Sequence, residues 1–220
     1  AARMSEQIVL REYQKTDHKA LENVVREAWN YDRFCSPKTA AKMAKVYLSS
    51  CLTNQTFTRV AEINGEPVGI IMGKDNRNHK CPLSLRIKWI QSIVSLYISG
   101  EGREISKIFA CVQGIDRELL SACGKNYKGE LAFFAIRRKC RGQGLGRKLF
   151  QTVVEYMKSR GITEFYLFTD TSCNYPFYEH LGLTRRCQKK QMIDVKGEKG
   201  DMTFFIYDYR VEGQNEESNS

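Results

Sequence analysis

Residues Gly129–Phe150 read GELAFFAIRRKCRGQGLGRKLF, and this stretch decides the fold. Leu131 to Ile136 is an apolar and aromatic run rich in strand formers, which predicts a buried β-strand. Arg137 to Gly146 is basic and rich in glycine, the composition of a loop. From Arg147 the pattern becomes helical, with Leu145, Leu149, Val153, Val154 and Met157 recurring on one face. A strand that turns through glycines into a helix aims unpaired backbone N–H groups, and the positive end of the helix, at an anion. Gly142, Gly144 and Gly146 let the backbone close on a ligand where a Cβ would hold it off. Arg141, Arg147 and Lys148 add full positive charges. The predicted site is an anion cradle for a diphosphate.

Spacing narrows the choice of cradle. The G-x-x-x-x-G-K-[ST] pattern of a P-loop is absent from this stretch. A dinucleotide fingerprint, G-x-G-x-x-G, fails because Arg147 stands where the third glycine belongs. What does fit is Arg141-x-x-Gly144-x-Gly146 after a strand that ends at Ile136. About 30 residues on, Asn174-Tyr-Pro-Phe-Tyr178-Glu-His-Leu-Gly182-Leu183 follows a second strand pattern. The first motif resembles the acetyl-CoA site, [Q/R]-x-x-G-x-[G/A], of the GNAT superfamily of N-acetyltransferases. The second resembles that family's N…FYxxxGF segment. The resemblance is strongest over Glu130 to Leu183.

The resemblance implies an α/β (mixed α+β) fold, a central mixed β-sheet flanked by helices, and acetyl-CoA as co-substrate with no metal. It implies acetyl transfer to a primary amine of a small molecule or a peptide. The family's fourth and fifth strands splay apart, and the pantetheine arm of the coenzyme lies between them. On this chain the backbone of Phe134, Ala135 and Ile136 would bond that arm, and one N–H there would face the thioester oxygen. The diphosphate would rest on Arg141, Gly142, Gln143, Gly144, Leu145, Gly146 and Arg147. Asn174 would contact the arm or cap a helix, and Phe177 lies beside the cofactor in the same motif. Tyr178 matches the position that often protonates the departing thiolate; a phenol with a pKa near ~10 keeps its proton at neutral pH. The alternative is a ring that packs under the cofactor and bonds a backbone group. Glu130 stands where some members carry a general-base glutamate, and water serves others. Arg138 replaces a proline common in the family. A non-catalytic CoA-binding sensor or scaffold is the alternative to an enzyme.

Around this segment the chain reads as one domain, 1–211. Ile8 to Tyr13 predicts a first strand, followed by a helix with Thr16 or Asp17 at its cap. Ser36-Pro37 predicts the start of a second helix reaching about Leu52. Asn30 to Phe34, between these helices, borders the acceptor pocket or packs its aromatics on the sheet. Phe57–Ile63 and Pro67–Met72 are strands joined by Asn64-Gly65, a strong hairpin signal. Between this third strand and the next comes an insert at about 75–129. It is expected to be two helices broken at Gly100-Glu-Gly102. One has Ile87, Ile90, Val94, Tyr97 and Ile98 on a face, and the other has Ile105, Ile108, Phe109, Val112, Ile115 and Leu119. The insert could form a lid, a dimer surface or a structural elaboration. Glu164–Thr169 is the following strand. Thr184–Val195 and Met202–Arg210 form a closing pair around a turn at 196–201. Residues 212–220 are polar and expected to be disordered.

The 220 residues are enough for one well-buried core. Lys and Arg number 35 against 25 Asp and Glu, a net charge of +10. No zinc-finger, RNP or helix-turn-helix pattern accompanies that charge, so it suits an anionic ligand, and nucleic acid is not expected. No apolar run approaches the roughly 18 residues a membrane span needs, and no leader pattern opens the chain. A cytoplasmic protein, away from membranes, is expected. Ala1-Ala2-Arg3 before Met4 reads as an added sequence. The eight cysteines show neither C-x-x-C nor zinc spacing and are expected to be reduced. A homodimer is left open.

Overall fold

In a computed structural model, which describes residues 6–195 and 197–212, strand β4 (Gly129–Ile136) is the middle strand of a mixed sheet. The others are β1 (Ile8–Arg11), β2 (Phe57–Ile63), β3 (Glu66–Asp75), β5 (Glu164–Asp170), β6 (Thr184–Val195) and β7 (Glu198–Arg210). The order across the sheet is β1-β2-β3-β4-β5-β7-β6, antiparallel throughout except for β4 and β5. Asn64 and Gly65 turn β2 into β3 with φ of 51° and 83°, the left-handed pair that a two-residue hairpin requires.

Helix α5 (Leu145–Ser159) covers one face of the sheet. Its Leu145, Leu149, Val153 and Met157 pack with Ile71, Leu131, Phe165 and Leu167. The opposite face carries α1 (His18–Ala28) and α2 (Pro37–Leu52), which close over Val60, Ile70, Met72, Phe133 and Ala135. Ser36 caps α2 by accepting from Thr39 N, with Pro37 at the first helical position, as the sequence predicts. Asp17 stands at the N-cap of α1, as expected, but its carboxylate accepts from Gln14 N and Arg11 rather than from the helix.

The insert is two helices, α3 (Leu83–Tyr97) and α4 (Gly100–Cys123), with three differences from expectation. The break falls at Ile98–Ser99, where Ser99 caps α4 by accepting from Gly102 N. Gly100 and Gly102 lie in the first turn of α4; a Cβ on Gly102 would stand 1.9 Å from Leu96 O, so this glycine permits the tight approach of the two helices. On α3 the face carrying Ile87, Ile90 and Val94 points outward, and Ser92 and Leu96 are the buried residues. On α4 the expected stripe is inside: Ile105 joins the α1–α2 cluster, and Ile115 and Leu119 join Tyr127, Tyr166 and Phe204.

Two further corrections concern the C-terminal part. β7 begins at Glu198 rather than Met202, and its pairing with β6 reaches Val195↔Glu198, because residues 198–201 extend the ladder instead of looping out. Cys123, at the end of α4, and Cys187, on β6, form a disulfide with a Cα–Cα distance of 6.0 Å. These two cysteines lie 64 residues apart in sequence, and only the packing of α4 against β6 brings them together. Cys51, Cys81, Cys111, Cys140 and Cys173 are free thiols. Residues 1–3, and the predicted tail beyond Glu212, lie outside the described residues. Among the described residues no helix is long and apolar enough to cross a membrane.

Candidate active site

β4 and β5 are hydrogen-bonded only at Gly129↔Phe165 and Glu130↔Tyr166. Beyond this pinch they diverge, and the edge of β4 that faces β5 has no ladder from Leu131 to Ile136. A parallel pair interrupted in mid-sheet leaves main-chain donors and acceptors without strand partners. A cavity of about 510 Å³ fills the gap, lined by Leu131 to Ile136 on one side and Leu167 to Thr169 on the other. That volume is in the range of small-molecule sites.

The glycine loop closes one end of this cavity. A short 3-10 turn, Arg138–Cys140, follows β4, and Gly144 then adopts φ of 79° as the residue preceding α5. The N–H groups from Gly142 to Arg147 have no acceptor among the described residues; the nearest bonds on either side are Arg141 N to Arg138 O and Lys148 N to Gly144 O. These donors combine the orphaned first turn of a helix with three preceding loop amides, all at its positive end. Arg141, Gly142, Gly144, Gly146 and Arg147 line the cavity here. Gly146 makes its close approach to protein: a Cβ there would meet the Phe177 ring at 2.9 Å. Gln143 is exposed and Leu145 points into the core, so these two present only their backbone toward the site.

The segment after β5 forms the facing wall. Asn174, Phe177 and Tyr178 all line the cavity, the last two on α6 (Pro176–His180). Tyr175 precedes α6 as its cap, so Asn174 lies outside the capping position. Phe177 stands edge-on to Phe134 at 5.8 Å, which ties α6 to β4. Burial, followed by the Cys173 thiol, pushes the Tyr178 phenol up from its ordinary pKa, and its hydroxyl has no hydrogen-bond partner among the described residues. Cys173 also lines the cavity; burial, with Asp170 next, raises its thiol to about 11.

Glu130 does not line the cavity. It stands one residue before the strands part, where burial raises its carboxyl, opposed by Lys74 and by a hydrogen bond with the Tyr166 hydroxyl. Asp116, on α4, is pushed up to about 7, first by burial and then by the carboxylates of Asp170 and Glu130. Asp116 of the insert thus feels the charge of Glu130 on β4 and of Asp170 on β5. The cavity wall on the side of α1 and α2 is aromatic: Trp29 stacks on Phe133 at 5.5 Å, and Tyr47 meets Phe133 at 5.7 Å. Tyr31, from the Asn30–Phe34 connection, is buried edge-on to Phe109 of α4 with its hydroxyl unpaired. That connection packs its aromatic ring against the insert, within the buried cluster that also holds Val60, Ile70, Met72 and Phe133 of the sheet.

Asp116 and Cys173 are the groups that sequence reasoning missed. Asp116 had a readable signal, a carboxylate four residues after Val112 and three before Leu119 in the apolar stripe of α4. Cys173 had none. Among the described residues no group of acidic, histidine and cysteine side chains could hold a metal ion.

Comparison with known proteins agrees with this geometry. The acetyltransferase (GNAT) family model matches residues 20–183. A curated relative, N-alpha-acetyltransferase 30 of Schizosaccharomyces pombe, is 38% identical over 77 residues, covering 34% of this chain. The match spans about half of that relative, 47% of its length. Among solved structures, an N-acetyltransferase from Staphylococcus aureus Mu50 superposes with a TM-score of 0.55 at 12% identity, covering 94% of this chain and 99% of that one. The protein yncA from Salmonella typhimurium, solved with its cofactor acetyl-CoA, gives a TM-score of 0.51 at 16% identity over 94% and 95% of the two chains. At such identities these structures speak for the fold alone.

Proposed function

The chain belongs to the acetyltransferase (GNAT) family, and from that premise we propose that it transfers the acetyl group of acetyl-CoA to a primary amine of a small molecule or peptide. The observation that carries this reading is the row of unpaired N–H groups from Gly142 to Arg147, set at the mouth of the gap between β4 and β5.

Acetyl-CoA supplies the activated acyl group. The amides of Gly142, Gln143, Gly144, Leu145, Gly146 and Arg147 donate to its diphosphate, with the Arg141 and Arg147 side chains beside them. The open edge at Phe134, Ala135 and Ile136 pairs with the pantetheine amides as an added strand would, and directs one N–H at the thioester oxygen, where negative charge grows during attack. Asn174 and Phe177 bound the arm from the other wall.

Tyr178 gives its proton to the departing sulfur. The raised phenol pKa keeps that proton in place at neutral pH. The transfer is not prohibitive, because the same surroundings make a thiolate strongly basic: the thiol of Cys173 is itself pushed to about 11. Glu130, which stands outside the cavity lining, takes the amine proton through water, or water alone carries it.

The test is release of free CoA thiol from acetyl-CoA, followed against a panel of polyamines, lysine derivatives and peptides with free N-termini. Release that depends on one class of amine is the expected result. Coenzyme binding with no thiol release across the panel would refute catalysis and leave a CoA-binding module.

A further inference from the structure

Helix α3 carries apolar side chains on two opposite faces, and the described residues cover only one of them. Ser92 and Leu96 are buried toward α2, and Lys42 of α2 donates to Ser95 O at 3.0 Å. On the other side Leu83, Ile87, Ile90, Val94, Tyr97 and Ile98 are exposed, each between 47% and 73%. Between 83 and 97 these positions step by four, three, four and three, the spacing of a helix–helix seam. Isolated exposed apolar residues are ordinary, but an aligned set along one helix is not. Arg86 and Lys88 are the charged residues from 83 to 97. A helix this apolar all round is normally enclosed.

We infer that the outer face of α3 is the contact between two copies of this chain, packed antiparallel about a twofold axis near Ile90. Area favours a second copy. The six residues leave on the order of 700 Å² open, close to the ~800 Å² per partner of a stable interface. A seam stepping four and three is complementary to itself, so one patch serves both sides of a twofold contact. Symmetry selects the direction: a twofold axis across Ile90, the middle of the five-residue seam, sets Leu83 against Tyr97 of the second copy and keeps Arg86 near Val94 and Ser95. The face is also held rigid: Arg103 of α4 donates to Tyr97 O at 2.8 Å, so little ordering is left to binding. With a net charge of +10 per chain the copies repel at a distance, and added salt tightens the contact.

Light scattering after size exclusion, on the full chain at about 50 µM, tests this, since a stable interface is populated at that concentration. The wild-type chain is expected at twice its chain mass, more completely dimeric at high salt. Ile90→Asp should give the single mass, with the dissociation constant raised at least ~100-fold. Met192→Glu, on the exposed part of β6, should stay dimeric. Circular dichroism and melting establish that Ile90→Asp is folded, and Ile87→Lys serves if it is not. A wild-type chain of single mass overturns the inference, as does a folded Ile90→Asp or Ile87→Lys at the double mass. So does a single-mass protein that binds phosphatidylcholine–phosphatidylglycerol vesicles through Ile90, which would make α3 a membrane-surface helix.

Discussion

Replacing Asp116 with asparagine should make the protein more stable at alkaline pH and leave it little changed at acid pH. In the folded chain the carboxyl is raised from 3.8 to about 7, with burial the leading cause and the carboxylates of Asp170 and Glu130 next. A carboxyl whose folded pKa is raised binds its proton more tightly folded than unfolded. Its favourable contribution is fully present below the unfolded value near 3.8 and is lost as pH rises through about 7. Each unit is worth about 1.4 kcal/mol, so the ceiling is about 4 kcal/mol, and partial solvent access to this half-buried side chain brings the expected effect to about 2 kcal/mol. Urea unfolding of wild type and Asp116→Asn at pH 5 and pH 8.5 reads the difference. Wild type should lose about 1 kcal/mol relative to the variant between these pH values, the part of the ~2 kcal/mol that is still present at pH 5. Parallel pH profiles would refute the claim that Asp116 is desolvated beside other carboxylates.

Further outcomes follow from other parts of the site. Tyr178→Phe should lower kcat about 100-fold while acetyl-CoA affinity stays within about threefold, measured by thiol release and calorimetry. Turnover equal to the parent's would remove Tyr178 from the acid role. Gly144→Val forces a β-branched residue to a φ of 79°, which costs at least about 1–2 kcal/mol, so coenzyme affinity should fall about tenfold or more in calorimetric titration. Cys123→Ser opens a cross-link spanning 64 residues, and urea unfolding should show a loss of about 2–4 kcal/mol.

The sequence was legible where the structure-determining pattern is local. The strand Gly129–Ile136, its glycine loop and the stripe Leu145–Met157 lie within one short segment, and their register follows from periodicity alone. The Asn64-Gly65 hairpin and the Ser36-Pro37 cap were equally local. Legibility failed where the deciding contact is remote or where two local patterns compete. Helix α3 is apolar on both sides, so spacing could not tell which side packs on α2 and which stays open. Two glycines at 100 and 102 look like a helix break, yet Ser99 supplies the cap and Gly102 admits the Leu96 carbonyl. The Cys123–Cys187 bond and the meeting of Asp116 with Glu130 and Asp170 both depend on how α4 docks, which no local spacing encodes.

The central claim is that the backbone amides from Gly142 to Arg147 grip a diphosphate. Glycine-selective ¹⁵N labelling and titration with coenzyme A observe those amides directly. Gly142, Gly144 and Gly146 should shift furthest, and pantetheine, which carries no phosphate, should leave all three in place. Saturation by coenzyme A with these signals unmoved would contradict the account.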